Sequence, residues 1–390
     1  SGVSALYGAL VEPLSALYRH EDALTAAWRS LELARSVGDE RILVEATVRY
    51  GLALFGMGLL HEARATLEEG LAGEEKLDLG GPLSRSLCLL GAIAMAQGRT
   101  TDAHVYLTAS MTIADERADV AAIVAVEERL GSLAFVLGNW DDALFHRKHA
   151  VDLVQSISFA HFSAMTLLAL GEQYLLQGDT DSASRYLEEP FTLAERSGQT
   201  VQLPRLEIPL AANDRREGNP RRALQRLEPL IDRPAFETAP DHEPMLVAAE
   251  AYLEIGDEQR AEEIIEQGLT FARDQEHRLV IVEWLQLKSI LAERRGRRPQ
   301  AIALLDDALT LARAIPYPYQ EALTLHRLGM LTGELDHLIA ARDIFQRLGA
   351  RPFAGRVEDL EMWHSYADNK STSELSPTVE ATMENETTPR

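Results

Sequence analysis

The strongest constraint on this chain is a sequence pattern that recurs every 40 residues. Leu-Gly pairs lie at Leu90-Gly91, Leu130-Gly131 and Leu170-Gly171, and each is followed by a second glycine and then by an alanine. The alanines form a column at positions 23, 63, 103, 143, 183, 223, 261, 301 and 341, and only one interval, of 38, departs from 40. A constant period of this length is typical of an array of one supersecondary unit.

Each copy of the pattern predicts two antiparallel helices. Apolar stretches such as Leu87–Ala96 have helical spacing and no proline, and a glycine that can adopt the left-handed conformation closes each of them. A short polar turn follows, and the column alanine is small enough to let the second helix approach the first. No strand pattern of useful length occurs. The sequence therefore predicts an all-α, right-handed α-solenoid of about nine antiparallel helical hairpins.

The glycine turn followed by Ala-x3-Leu resembles the tetratricopeptide repeat over roughly residues 4–360. The usual tryptophan of the first helix is absent, and the period is 40 rather than 34. We expect the extra length between the second helix and the next hairpin, as in Ala72–Pro82. This longer variety resembles the sensor solenoid of bacterial signal-transduction ATPase regulators of the MalT and large LuxR-type class. That resemblance implies a nucleotide-binding domain before the solenoid and, in many members, a helix-turn-helix domain after it.

The composition changes near residue 361, which suggests two regions. Residues 1–360 form the predicted repeat domain, and residues 361–390 are rich in Ser, Thr and Glu and predict a flexible acidic tail or linker. The chain ends in Thr387-Thr-Pro-Arg390, which is similar to the opening phrase of LuxR-type DNA-binding domains. An ordinary disordered C-terminus is the alternative interpretation.

Charge and composition limit the kinds of partner and the cellular location that we expect for this chain. Lys and Arg total 38 against 61 Asp and Glu, a formal net charge of −23, so direct nucleic-acid binding by this segment is not expected. No apolar run is long enough for a membrane span, and no signal peptide is recognisable, which predicts a cytoplasmic protein. The single cysteine, Cys88, excludes an intramolecular disulfide.

Patterns that carry catalysis or metal binding were sought and are not found. There is no phosphate-binding loop, no zincin helix and no nucleophile elbow. His146 and His149 lie three residues apart on a second helix, but two solvated histidines are the more economical interpretation than a metal site. We therefore expect no enzyme, no cofactor and no metal.

The resemblance implies that the first helices line a concave groove. The candidate groove residues combine apolar anchors with charged groups: Phe55, Arg85, Met95, Glu128, Phe135, Glu172, Arg205 and Arg215. Such a groove suits a protein or peptide segment, or a small-molecule effector. Alternatively, a tightly wound solenoid closes the groove and makes these residues core. The predicted function is a non-catalytic, effector- or protein-binding sensor domain of a bacterial transcriptional regulator, and a free-standing scaffold that assembles other proteins is the alternative.

Overall fold

The computed structural model describes residues 2–17, 19–77, 80–157, 160–187, 203–231 and 241–355. All of their regular structure is helical. The helices are α1 (Gly2–Ala16), α2 (His20–Val37), α3 (Glu40–Gly56), α4 (Leu60–Leu77), α5 (Gly80–Ala96), α6 (Thr100–Glu116), α7 (Val120–Val136), α8 (Trp140–Ile157), α9 (Ala160–Gln177), α10 (described over 180–187), α11 (Leu203–Arg216), α12 (Pro220–Ile231), α13 (His242–Ile255), α14 (Glu258–Asp274), α15 (Arg278–Arg294), α16 (Arg298–Ala314), α17 (Pro318–Thr332) and α18 (Leu335–Leu348).

Consecutive odd and even helices form nine antiparallel hairpins within this described part of the chain, which confirms the predicted all-α solenoid. Successive first helices, such as α3 and α5, also contact one another, so the first helices form the inner wall of the curved array. The expectation of extra length between hairpins is wrong at Ala72–Pro82. There α4 continues to Leu77 and α5 begins at Gly80, so the helices themselves take up most of the added length.

Two columns of small residues hold each hairpin together. Every alanine of the 40-residue column is at most 1% exposed. The glycine of the Leu-Gly pair lies opposite, and a Cβ at Gly91 would approach Leu107 Cδ2 to 2.8 Å. Most of the side chains four residues after the column alanine are likewise at most 1% exposed, among them Leu67, Leu107, Leu227 and Leu305. The recurring pattern is therefore a close-packing device between paired helices.

The second glycine of each copy makes the turn between the paired helices. At Gly98 φ is +72°, its N–H donates to Met95 O at 2.9 Å, and the Arg99 N–H donates to Ala94 O at 2.8 Å. A residue with a Cβ resists this left-handed conformation, which explains the glycine. In some turns an aspartate caps the second helix, as where Asp257 accepts from the Arg260 N–H at 3.1 Å.

The superhelix is wound tightly enough for its successive turns to touch along one line, here called the seam. The seam places the glycine turns of the second to fifth hairpins against the connections that flank the later hairpins. A Cβ at Gly58 would lie 3.2 Å from Phe271, and one at Gly98 would lie 3.0 Å from Ile315. The His61 N–H also donates to Gln275 Oε1 at 3.4 Å, across 214 residues of sequence. The seam therefore lies along one border of the space that the first helices face.

No helix among the described residues is both long and apolar enough to cross a lipid bilayer. The predicted tail, 361–390, lies outside the described residues, so the division of the chain at residue 360 stays a prediction.

Candidate functional site

The concave surface formed by the first helices, here called the groove, is open to solvent rather than sealed as core. Its predicted apolar column is half-buried at Phe55, Met95, Phe135 and Leu175, in contrast to the fully buried alanines of the hairpin interior. The column ends at an exposed Glu293. Leu253 is the exception, because it is 2% exposed and packs into the core of the seventh hairpin.

Acidic side chains from separate hairpins face one another across the groove. Glu172 on α9 contacts solvent, but the groove walls surround it and partly desolvate its carboxylate. This desolvation, together with the negative charge of Glu243 on α13, raises the pKa of Glu172, and Arg216 opposes the shift. Glu283 on α15 has no hydrogen bond or ion pair with a described residue. Burial, followed by the nearby Glu250 and Glu243, raises the pKa of Glu283 to about 8.

The predicted arginines differ in what they contact. Arg215 joins two hairpins, because its Nη1 lies 2.5 Å from Glu250 Oε2 and its Nε lies 2.8 Å from Glu254 Oε1. Arg85 is half exposed and forms an ion pair with Glu12, away from the other predicted residues. The side chain of Arg205 lies outside the described residues. Of the predicted arginines whose side chains the structure describes, Arg215 is therefore the one that forms ion pairs between hairpins at the groove.

Phe135 lies in a packed aromatic cluster at the edge of the groove. Its ring stacks on Trp140 at a centroid distance of 5.0 Å, and Tyr319 from the ninth hairpin lies 6.0 Å away. Glu128, two helical turns closer to the start of α7, accepts a hydrogen bond from the Thr166 hydroxyl of α9. The cluster thus links the fourth, fifth and ninth hairpins, and Phe135 has a structural role as well as a groove-facing one.

Arg147 was not among the predicted groove residues, although the sequence carried a signal for it. It occupies the position that holds Leu67, Leu107 and Leu227 in other hairpins, and it is 9% exposed. Its guanidinium carbon lies 5.2 Å from the centroid of the Phe135 ring. Burial lowers the pKa of Arg147 to about 10, against the opposing effects of Glu172 and other groove groups. A charged residue in a column of leucines is the feature that could have identified it.

The histidine pair on α8 binds a carboxylate of its own hairpin. His146 Nδ1 lies 2.6 Å from Glu127 Oε2, and His149 Nδ1 lies 2.8 Å from Glu127 Oε1. Burial opposes ionisation of Glu127, but hydrogen bonds from the two histidines outweigh it and lower the pKa of Glu127. This arrangement stabilises the pairing of α7 with α8. Among the described residues, no group of histidine, cysteine and carboxylate side chains has the arrangement of a metal site.

A small cavity opens on the concave side of the last three hairpins. Its volume is about 250 Å³, and its lining combines Glu250, Gln286 and Arg327 with Leu323 and Phe345. Typical small-molecule sites run from about 300 to 1,000 Å³, so this cavity lies just below the lower end of that range.

The fold and the groove together define a tetratricopeptide-like helical repeat protein. Residues 121–196 match the model of the tetratricopeptide repeat family. No curated protein matches the sequence significantly.

Solved structures with the same architecture come from several functional settings. A Rap protein complexed with competence and sporulation factor is 11% identical, with a TM-score of 0.57 over 91% of this chain and 98% of that chain. The Cut9-Hcn1 hetero-tetramer of the APC/C is 12% identical, with a TM-score of 0.56 over 88% of this chain and 62% of that chain. A signal-transduction ATPase with a tetratricopeptide repeat sensor from Pyrococcus horikoshii is 16% identical over 94% of this chain and 49% of that chain, with a TM-score of 0.43. At these identities the likeness shows the fold alone.

Proposed function

We propose that this chain is a non-catalytic sensor domain that binds a peptide or an extended protein segment in its groove. The observation that carries the proposal is the contrast between the hairpin interior and the groove. The column alanines are at most 1% exposed, whereas Phe55, Met95 and Leu175 remain half-buried along the inner wall. Apolar side chains left accessible in a concave surface indicate a place for a ligand.

The dimensions and chemistry of the groove favour a segment over a compact small molecule. The half-buried apolar positions lie on successive hairpins, from Phe55 on α3 to Leu175 on α9, so that one ligand must extend to contact them all. The cavity of about 250 Å³ on the last three hairpins is smaller than a typical small-molecule site. An extended peptide satisfies both features, because its side chains reach separate pockets along one line.

A sensor in a cytoplasmic transcriptional regulator is the biological setting we propose. The likeness of residues 121–196 to the tetratricopeptide family supports protein binding. The Rap protein with a similar fold was crystallised in complex with competence and sporulation factor. Binding within the groove would shift the array toward one arrangement of its hairpins, and a neighbouring output domain would detect that shift.

The test is a binding measurement with two variants on opposite surfaces. An N-acetylated random hexapeptide library is selected on the immobilised chain, and one selected peptide is labelled and titrated by fluorescence anisotropy. Leu175→Gln on the groove should weaken its binding by about fivefold or more, because an apolar contact is lost. The control Phe145→Gln alters a side chain on a second helix that is 65% exposed, and it should leave the affinity unchanged. Failure to select any peptide, or equal loss in both variants, would refute groove binding.

A further inference from the structure

The first helix of the array exposes an apolar face. Four of its large apolar side chains follow the i, i+3, i+4 and i+7 spacing of a single helix face. They are between 38% and 69% exposed and are here called the α1 stripe: Val3, Leu6, Tyr7 and Leu10. Apolar residues scattered singly over a surface need no explanation, but a contiguous stripe of them marks an interaction site.

The opposite face of α1 packs as it does in a regular hairpin. Ser4 Oγ donates to Ser30 O at 2.9 Å, and Ser30 Oγ donates to Ser4 O at 2.8 Å. The same reciprocal pair joins Ser84 of α5 with Ser110 of α6, two repeats of 40 residues later. The first helix α1 therefore has the register of an ordinary first helix, and the later residues that correspond to its stripe lie 40, 80 and 120 positions further on.

On α3, the positions that correspond to the α1 stripe are covered by the second helix of the preceding hairpin. They include Leu43, Ala46 and Tyr50, which form one hydrophobic cluster with Leu31 and Ala34 of α2. Ala46 is 1% exposed, whereas the corresponding leucine of α1 is 69% exposed. Inside the array, this face of a first helix is therefore covered by the second helix of another hairpin.

The same interface recurs at the fourth hairpin. Val126 and Leu130 of α7 hold two of the corresponding positions, and they belong to one cluster with Ala103 and Leu107 of α6. Val126 is 0% exposed. On α1 the same face is equally apolar, but it is open to solvent.

The second helices show what kind of helix fits this face. Four of them carry an alanine eleven residues after the column alanine, and each of these alanines is 0% exposed: Ala34, Ala114, Ala272 and Ala312. A leucine or methionine lies three residues before each one: Leu31, Met111, Leu269 and Leu309. The last second helix, α18, ends after 14 residues, before the position that Ala34 holds in the 18-residue α2. A second copy stacked end to end therefore does not supply this pattern.

We propose that the α1 stripe binds a helical hairpin of the same repeat type, whose second helix lies on α1 as α2 lies on α3. The partner helix is amphipathic and presents a leucine or methionine followed three residues later by an alanine. Glu12 is the one charged residue of α1, and it forms an ion pair with Arg85 of its own chain. Apolar packing rather than charge therefore selects the partner. The proposal does not depend on a ligand in the groove.

Duplication of residues 1–40 supplies such a hairpin. In the duplicated chain Ser1 follows a second copy of Glu40, so the period of 40 is kept and the added α2 precedes the original α1 as α2 precedes α3. We expect the added hairpin to raise the urea midpoint and to slow amide hydrogen exchange in the original α1 by about tenfold or more.

The decisive variant is Leu6→Lys in the original α1. Leu6 is 69% exposed in the natural chain, where the substitution should leave the urea midpoint unchanged. In the duplicated chain the same substitution places a charge under the added α2, and it should lower the midpoint because the charge is buried without a partner. Val105→Lys on α6, where the valine is 62% exposed, is the matched control and should have no effect in either chain.

Analytical ultracentrifugation of the natural chain distinguishes a partner hairpin from a second copy. We expect a monomer at micromolar concentration. A dimer that Leu6→Lys dissociates and Val105→Lys does not would overturn the proposal, since the stripe would then bind a second copy. An added hairpin whose amides exchange as in an unfolded chain, or a Leu6→Lys effect of equal size in both chains, would overturn it as well. These measurements do not involve the groove, so the peptide selection tests the proposed function separately.

Discussion

Two turn glycines with the same backbone conformation should respond differently to the same substitution. Gly138 and Gly218 both have φ of +81°, and both close a first helix. A Cβ at Gly138 would lie 2.5 Å from Pro318 Cγ and 3.1 Å from Leu348 Cδ2, across the seam. A Cβ at Gly218 would have no atom of a described residue within 4 Å. Replacing each glycine by alanine therefore separates the seam contact from the cost of the backbone conformation.

The expected magnitudes follow from these contacts. Both substitutions place a side chain in the left-handed region, at a cost of about 1–2 kcal/mol. The entropy that alanine removes from the unfolded chain is the same in both and cancels in the comparison. At Gly138 the overlap with Pro318 adds overpacking, which costs about 1–3 kcal/mol. We therefore expect Gly138→Ala to destabilise the protein by about 1–3 kcal/mol more than Gly218→Ala does.

Urea unfolding followed by circular dichroism measures the total effect, and amide hydrogen exchange locates it. If the seam contact is responsible, Gly138→Ala should also accelerate exchange in α17 and α18, which lie far from residue 138 in the sequence. Gly218→Ala should leave exchange in those helices unchanged. Equal urea midpoints for the two variants, or accelerated exchange confined to α7 and α8, would refute the seam as a stabilising contact.

Three further changes test the packing and the buried titratable groups. Ala143→Leu should destabilise by about 1–3 kcal/mol through overpacking, since Ala143 is 0% exposed, and an unchanged urea midpoint would contradict this. Burial and two neighbouring glutamates raise the pKa of Glu283 to about 8, so the stability it contributes in its neutral form is lost as the pH rises from 4.5 through 8. The Glu283→Gln variant should therefore have a free energy of unfolding about 1–2 kcal/mol higher than that of the wild type at pH 9, and almost the same as the wild type at pH 4.5. The difference at pH 9 is small because water in the groove solvates the carboxylate. Burial lowers the pKa of His242 to about 3 and that of His277 to about 4, so the stability that these neutral histidines contribute should fall as the pH drops below 6.5. The urea midpoint of the wild type should therefore fall relative to that of the double variant His242→Gln/His277→Gln between pH 7 and 4, and a constant difference would exclude two neutral buried histidines.

The fold could be predicted from the sequence because its determinants are local and repeated. The alanine at 143 and the glycine at 138 act within one hairpin, and each recurs in the other copies. The seam could not be predicted in this way. Gly138 and Gly218 occupy the same position in the repeat, and only the accumulated rotation of several hairpins brings one of them against Pro318.

The predicted column of groove residues follows from the helical period, and its role in binding stays a prediction. The structure leaves the side chains of Phe55 and Met95 half-buried on the first helices. The ion pairs of Arg215 with α13 depend on the spacing between hairpins. The sequence shows Arg147 as the one charged residue in a column of leucines. Its path past Gly131 toward the groove could not be predicted, because it depends on how the two helices of the hairpin pack together.

The seam also changes how the molecule responds to force. A solenoid whose hairpins contact only their neighbours extends like a soft spring, because small rotations at every interface add together. Here the contacts of Gly58 with Phe271 and of Gly98 with Ile315 join successive turns of the superhelix. The solenoid therefore cannot lengthen or widen until these contacts break. A long segment would therefore have to thread along the superhelix axis. Pulling on the two ends should produce a distinct rupture before the gradual extension that an array without these contacts shows from the start.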